Sequence, residues 1–269
     1  MPNARCFHLL AKFLLAIACL MTLSCQYTPI RSTTGEFIDR EIRLDGNVHR
    51  YQVFVPSQAA SGQRPPVVLF LHGSGERGDD NRKQTAVGLG PYVKRRMTMF
   101  PAIVVFPQSP EDASWNGATA RMALAMLDAA SRELHGDPDR TYLTGMSRGG
   151  YGVWELALMQ PARFAALVPV CGGITAPRPG SDLHLRTVAG DADPFAAVAN
   201  RLATTPAWLF HGARDDVVDP TQSRRMYAAL QVAGADVRYT EFPEANHNAW
   251  DPAYATPELW EWLFAQRRR

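Results

Sequence analysis

Cysteine is scarce in this chain. Of four in 269 residues, Cys6, Cys19 and Cys25 fall within the first 25 positions, which leaves Cys171 alone in the remainder. A lone thiol has no intrachain partner, so a disulfide-framed fold is excluded for that remainder even in an oxidising compartment. The position of Cys171, after the apolar residues 167–170, reads as a buried small hydrophobe rather than a second nucleophile. The cysteines and the seven histidines do not recur at zinc-ligand spacings, and neither a metal nor a cofactor is expected. An excess of one charge is also missing, since 28 Lys+Arg stand against 26 Asp+Glu. The basic clusters Lys94-Arg95-Arg96 and Arg267-Arg268-Arg269 are short and read as solvated surface, so no nucleic-acid partner is expected. Internal repeats and low-complexity segments are absent, which excludes a solenoid.

Long apolar runs are limited to residues 13–23, shorter than the roughly 20 residues that cross a bilayer. Arg5 and Lys12 precede that run and the small Ser24 follows it, the pattern of an export signal over residues 1–25. Cys25 at its end offers a site for an N-terminal lipid and hence for membrane attachment. Thr22, three places earlier, fits a lipoprotein signal poorly, which leaves simple cleavage and a retained anchor as the other two outcomes. Periplasmic, secreted and lipid-anchored locations are all consistent with this leader. Residues 26–36 read as a linker, and 37–269 as one domain with ample apolar content for a core.

The domain opens with two strand-like segments, 37–44 and 49–55, around Asp45-Gly46-Asn47, a hairpin turn. From residue 67 the pattern changes to short apolar strands at 67–71, 103–106, 141–144, 166–170, 207–210 and 237–242. Helical stretches separate them: 118–134, one from near Gly150, 194–202, one from near Pro220 and one from near Pro257. Alternation of this kind implies a mostly parallel sheet covered on both faces by helices. The interval 171–206 has little room for a cap domain once its helix is placed.

Gly145-Met146-Ser147-Arg148-Gly149 is a G-x-S-x-G motif between an apolar strand and a helix-compatible run. In that context the serine sits on a sharp turn that lifts its hydroxyl above the sheet, and small neighbours leave space for the strained backbone. A serine hydroxyl becomes a nucleophile only when an imidazole takes its proton and a carboxylate orients the imidazole. On this scaffold the acid and then the histidine follow the serine in the chain. His184 precedes the acidic candidates in an irregular segment, so chain order selects His247, after strand 237–242. The acid is one of Asp215, Asp216 and Asp219, which crowd the loop after strand 207–210; Asp219 also suits the cap of the helix that follows. One oxyanion donor is the amide of Arg148, directly after the nucleophile. The other comes from the loop His72-Gly73-Ser74-Gly75, which lacks the lysine and Ser/Thr of a phosphate-binding loop.

Residues 71–78, 145–149, 211–215 and 247–250 together resemble the phospholipase and carboxylesterase branch of the α/β-hydrolase superfamily, including its secreted predicted-peptidase relatives. The resemblance implies an α/β-hydrolase fold with an antiparallel N-terminal hairpin and no large cap domain. It places the acid at Asp215, three residues after Gly212, and the second oxyanion donor at the Ser74 amide. The expected activity is serine-dependent cleavage of carboxylic esters, with small acyl or polymer-linked esters as substrates and Trp115 as a cleft-lining contact. Oligomeric state is left open. Two other readings stand beside it. One is a serine peptidase on the same fold, although such peptidases usually carry a large extra domain for which 269 residues leave no room. The other is a non-catalytic envelope binding protein.

Overall fold

In the computed structural model the described residues are 34–57 and 64–268. The readings of residues 1–25 as an export signal and of Cys25 as a lipid site fall outside them. Eight strands form one sheet: β1 (Glu36–Leu44), β2 (Asn47–Val55), β3 (Val67–Leu71), β4 (Ile103–Pro107), β5 (Thr141–Met146), β6 (Ala166–Val170), β7 (Ala207–Gly212) and β8 (Val237–Phe242). The helices are α1 (Leu89–Lys94), α2 (Gly117–Glu133), α3 (Arg148–Met159), α4 (Pro194–Leu202), α5 (Thr221–Val232), α6 (Trp250–Ala255) and α7 (Pro257–Ala265).

The sheet order is β1-β2-β4-β3-β5-β6-β7-β8. Strand β2 runs antiparallel to both of its neighbours, and the remaining pairings from β4 to β8 are parallel. This is the architecture implied by the resemblance. The β1–β2 turn pairs Leu44 with Asn47 and places Asp45 and Gly46 at positive φ, the two-residue geometry whose twist matches the flanking strands.

All five side chains of β3 are buried because each face of the sheet is covered. Val67, Leu69 and Leu71 pack with α2, α3, α4 and α5 on one side, whereas Val68 and Phe70 pack with α1, α6 and α7 on the other. Each such side chain removed from water contributes roughly 2 kcal/mol. Helix α4 starts where the Asp193 carboxylate accepts from the Phe195 and Ala196 amides, with Pro194 in the first turn. Asp219 accepts from the Thr221 amide at the start of α5.

Helices α1 and α6 have no counterpart in the sequence reading. Each is six residues long and contains a proline, Pro91 and Pro252, so neither is long enough for an apolar stripe to recur. Strand β7 runs through His211 and Gly212, two residues beyond its apolar stretch, because its pairing with β8 continues that far.

Helix α3 lies against the end of β3 at backbone distance. A Cβ on Gly149 would stand 1.9 Å from the Leu71 carbonyl oxygen and 2.8 Å from that of His72. Because those atoms belong to a central strand and cannot retreat, Gly149→Ala is expected to destabilise the protein by about 3 kcal/mol or more. Urea unfolding checks this, and a midpoint equal to wild type would contradict so close a packing.

Candidate active site

Ser147 joins β5 to α3 with φ 54° and ψ −120°, a left-side conformation that a residue with a Cβ rarely adopts. From Thr141 to Leu158 it is the one residue that is not buried. The strand, the tight turn and the helix together hold its hydroxyl at the carboxyl edge of the sheet, where ligands of open α/β sheets bind.

His247 reaches the same edge from the loop after β8. Its Nδ1 lies 2.7 Å from Asp215 Oδ2 and its Nε2 lies 2.8 Å from Ser147 Oγ. An ionised carboxylate only accepts, so Nδ1 carries the proton and Nε2 is left to accept from the serine hydroxyl. The loops bearing Asp215 and His247 touch at backbone level. A Cβ on Gly212 would stand 2.2 Å from the Asn246 carbonyl oxygen, and the Arg214 amide donates to the Ala245 carbonyl. The edge of the Trp250 ring packs against the His247 ring at 5.5 Å between centroids.

Asp215 is the member of the acidic loop that joins this chain of hydrogen bonds, whereas Asp216 is exposed. Asp215 Oδ1 accepts from the amides of Val217 and Val218, and Oδ2 accepts from His247 and also faces His211 Nε2 at 3.2 Å. Burial pushes the Asp215 carboxyl up, but hydrogen bonds from His211, His247 and the Val218 amide outweigh it and hold the group well below the usual carboxylate range. It therefore stays ionised throughout the neutral and mildly acidic range.

Two further histidines, each at the end of an apolar strand, support the site. His211 is fully buried, with Nε2 donating to the Val218 carbonyl and Nδ1 accepting from Ser223 Oγ. His72, also fully buried, donates from Nδ1 to the Gly73 carbonyl and accepts on Nε2 from the Ser109 amide. The available signal was the repeated His-Gly pair, 72–73 and 211–212, at the ends of two apolar strands.

Burial pushes His72 down to about 4 from an ordinary 6.5. Between those values the unfolded chain binds a proton that the folded protein excludes. The stability contributed by His72 is therefore complete above pH 6.5 and is lost as the pH falls toward 4. The loss between pH 7.5 and pH 5 amounts to about 2 kcal/mol. Urea unfolding of wild type and His72→Gln at both pH values measures it, and parallel pH slopes would contradict a buried neutral imidazole.

The two residues expected to supply oxyanion amides lie side by side, since Arg148 Nε donates to Ser74 Oγ at 2.9 Å. A Cβ on Gly73 would stand 3.5 Å from Ser147 Cβ, so this loop runs directly past the serine. Arg148 opens α3, where the first backbone amides have no partner within the helix and are free to donate. Beyond them lies a cleft of about 380 Å³ lined by Ser74, Ser147, Arg148, Asp182 and Val217 among others. Trp115 does not line it, which corrects the sequence expectation. The indole is only 2% exposed, donates from Nε1 to the His72 carbonyl at 2.9 Å and packs edge-on against the His72 ring. A buried indole must place its N–H on a partner, and here that partner lies beneath the loop.

Among the described residues, one group of potential metal-ligating atoms lies within 4.8 Å of one another: Cys171, Asp215 and His247. Burial pushes the Cys171 thiol far up and keeps it protonated. Asp215 and His247 already spend their facing atoms on each other. This donor set is suited to proton transfer rather than to a cation.

Residues 112–265, more than half of the chain and including Ser147, Asp215 and His247, match the sequence profile of the prolyl oligopeptidase family. The chain belongs to the prolyl oligopeptidase family. With it comes membership of the α/β-hydrolase superfamily and its serine-hydrolase fold. A thermostable esterase of known structure is 30% identical, with a TM-score of 0.70 over 86% of this chain and 63% of that one. The acylaminoacyl peptidase of Pyrococcus horikoshii shares the fold at 17% identity, with a TM-score of 0.68 over 88% of this chain and 42% of the peptidase. An uncharacterized secreted protein of Arthroderma benhamiae is 29% identical over 84% of this chain, which spans 26% of that protein's length. Among the described residues no helix is long and apolar enough to cross a membrane.

Proposed function

We propose that this protein is a serine hydrolase that cleaves carboxylic esters through an acyl-enzyme, with Ser147, His247 and Asp215 as its catalytic triad. The observation that carries the reading is the single imidazole held between Ser147 Oγ and the Asp215 carboxylate at 2.8 and 2.7 Å. His247 Nε2 takes the hydroxyl proton as Ser147 Oγ attacks the ester carbonyl, and Asp215 stabilises the imidazolium that results. The amides of Ser74 and Arg148 receive the developing oxyanion, each such donor contributing about 3 to 4 kcal/mol. Collapse of the tetrahedral intermediate expels the alcohol, which takes the proton from His247. Water then repeats the sequence on the acyl-enzyme and releases the acid.

The 30% identity to an esterase favours esters over amides, and the open cleft suits a small acyl group or an ester borne on a polymer. Membership of a peptidase family supports a second reading, hydrolysis of short peptides or acylated amino acids by the same three groups. The leader and the secreted relative support export, with release or lipid attachment at Cys25 decided by mass spectrometry of the mature N-terminus.

A fluorophosphonate probe is expected to label the native protein on Ser147, identified by peptide mapping, and to spare the heat-denatured protein. Absence of label, or label elsewhere, would overturn the assignment. Parallel assays on 4-nitrophenyl acetate and on N-acetylated aminoacyl 4-nitroanilides separate the two readings. The ester reading expects turnover of the ester with no enzyme-dependent cleavage of the anilides, and anilide turnover at about 1 s⁻¹ or faster, an ordinary enzymatic kcat, would give precedence to the peptidase.

A further inference from the structure

We propose that the Arg148 side chain selects esters carrying a carboxylate close to the scissile carbonyl, so that the preferred substrates are monoesters of short dicarboxylic acids or comparably acidic acyl groups. This rests on the serine-hydrolase reading. The motif fixes Gly145, Ser147 and Gly149 but leaves position 148 free, and a guanidinium there works against its surroundings. Arg148 occupies the first turn of the twelve-residue α3, the positive end of the helix dipole, where a cation is disfavoured. It is only 9% exposed, and burial pushes its basicity down, with attraction from Asp182 opposing the shift and repulsion from Arg77 adding to it.

No buried carboxylate faces this charge. Nε donates to Ser74 Oγ, Nη1 donates to Ser114 Oγ, and Nη2 has no hydrogen-bond partner among the described residues. The one carboxylate within ion-pair distance is Asp182, 3.7 Å from Nη1 and 75% exposed at the rim. A desolvated guanidinium is satisfied by a carboxylate on its planar fork, and two neutral hydroxyls do not replace one. Arg148 shares its cleft with the nucleophile, and Arg178 on the same wall leaves Asp182 outnumbered. An acyl group that runs from Ser147 into this cleft brings its terminal carboxylate to the guanidinium and displaces Asp182 to solvent. The exposed Val217 and buried Val218 line the same cleft and offer apolar surface to a short methylene spacer.

The experiment compares 4-nitrophenyl hemiglutarate with the same compound methylated on its free carboxylate, which removes the charge, with the enzyme-free rate of each subtracted because the free carboxylate also attacks its own aryl ester. Wild type is expected to favour the hemiester in kcat/KM by at least about 10-fold, and Arg148→Met to lower that ratio by about 30-fold. Arg148→Lys should retain part of the preference because it keeps a point charge without the fork. Free glutarate should compete with the hemiester on the wild-type enzyme, a readout that needs no variant.

If Arg148 only tethers Ser74, both substrates slow together in Arg148→Met and the ratio holds, which overturns the proposal. Wild type that labels on Ser147 and cleaves the methylated ester without favouring the hemiester also overturns it, and leaves the serine-hydrolase reading intact. Wild type that neither labels nor cleaves either ester removes both.

Discussion

Ser147→Ala is expected to lower kcat on 4-nitrophenyl acetate by about a million-fold, with His247→Ala falling nearly as far and the double variant no further. The two groups act on one proton, so removing either leaves the other with nothing to exchange. The hydrogen bond of 2.8 Å between them is in line for that transfer, and the left-side backbone of Ser147 holds its hydroxyl clear of the helix that follows. Alanine deletes the nucleophile but leaves the amides of Ser74 and Arg148 in place, so a residual rate about 1000-fold above that in water is expected to persist. KM should change little because the cleft is intact. Initial rates with active-site titration measure this, and more than 1% of wild-type kcat in Ser147→Ala would sink the mechanism.

Asp215→Asn is expected to reduce kcat by about 10,000-fold without loss of the folded state. The reason lies in the four donors around this carboxylate. Val217 and Val218 amides point at Oδ1, while the N–H groups of His247 and His211 point toward Oδ2. Asparagine has one acceptor oxygen and one NH2. With the oxygen turned to the two amides, the NH2 faces two imidazole N–H groups. His211 cannot yield, because its Nε2 proton is committed to the Val218 carbonyl. His247 yields instead by moving its proton to Nε2, where it can no longer accept from Ser147. Asp216→Asn, on an exposed neighbour, should stay within about twofold of wild type as a surface substitution. Equal loss in the two variants would show that the loop rather than the carboxylate carries the effect.

Why some of this could be read along the chain and some could not follows from how far each constraint reaches. The strand 67–71 coincides with its run of Val, Leu and Phe, and 166–170 lies within the apolar stretch 164–171, because a strand buried on both faces has no polar positions within it. The elbow is equally local, since five adjacent residues decide the turn. Chain order was enough to single out His247 from His184, but between Asp215 and its neighbours only family resemblance chose. Three acids within five residues look alike in a sequence. They differ in which of them turns inward to the neighbouring Val217 and Val218 amides and to His211, and above all in which one meets His247, 32 positions away.

Trp115 shows the same limit. An aromatic after a strand-end loop has the composition of a cleft wall and of a core alike, and the carbonyl of His72, 43 positions away, determined that its N–H turns inward. His72 is similar, since the Ser109 amide that its Nε2 accepts from lies 37 positions away.

The sequence by itself determined the layered α/β pattern, the strained serine turn and the order in which nucleophile, acid and base occur, because periodicity, turn chemistry and chain order are properties of neighbouring residues. Only the tertiary structure decided which carboxylate faces His247, which histidines are locked neutral in the interior, and that the guanidinium beside Ser147 is buried without a buried counter-charge. Hydrogen bonds and desolvation act over a few ångströms of space, whatever the separation along the chain.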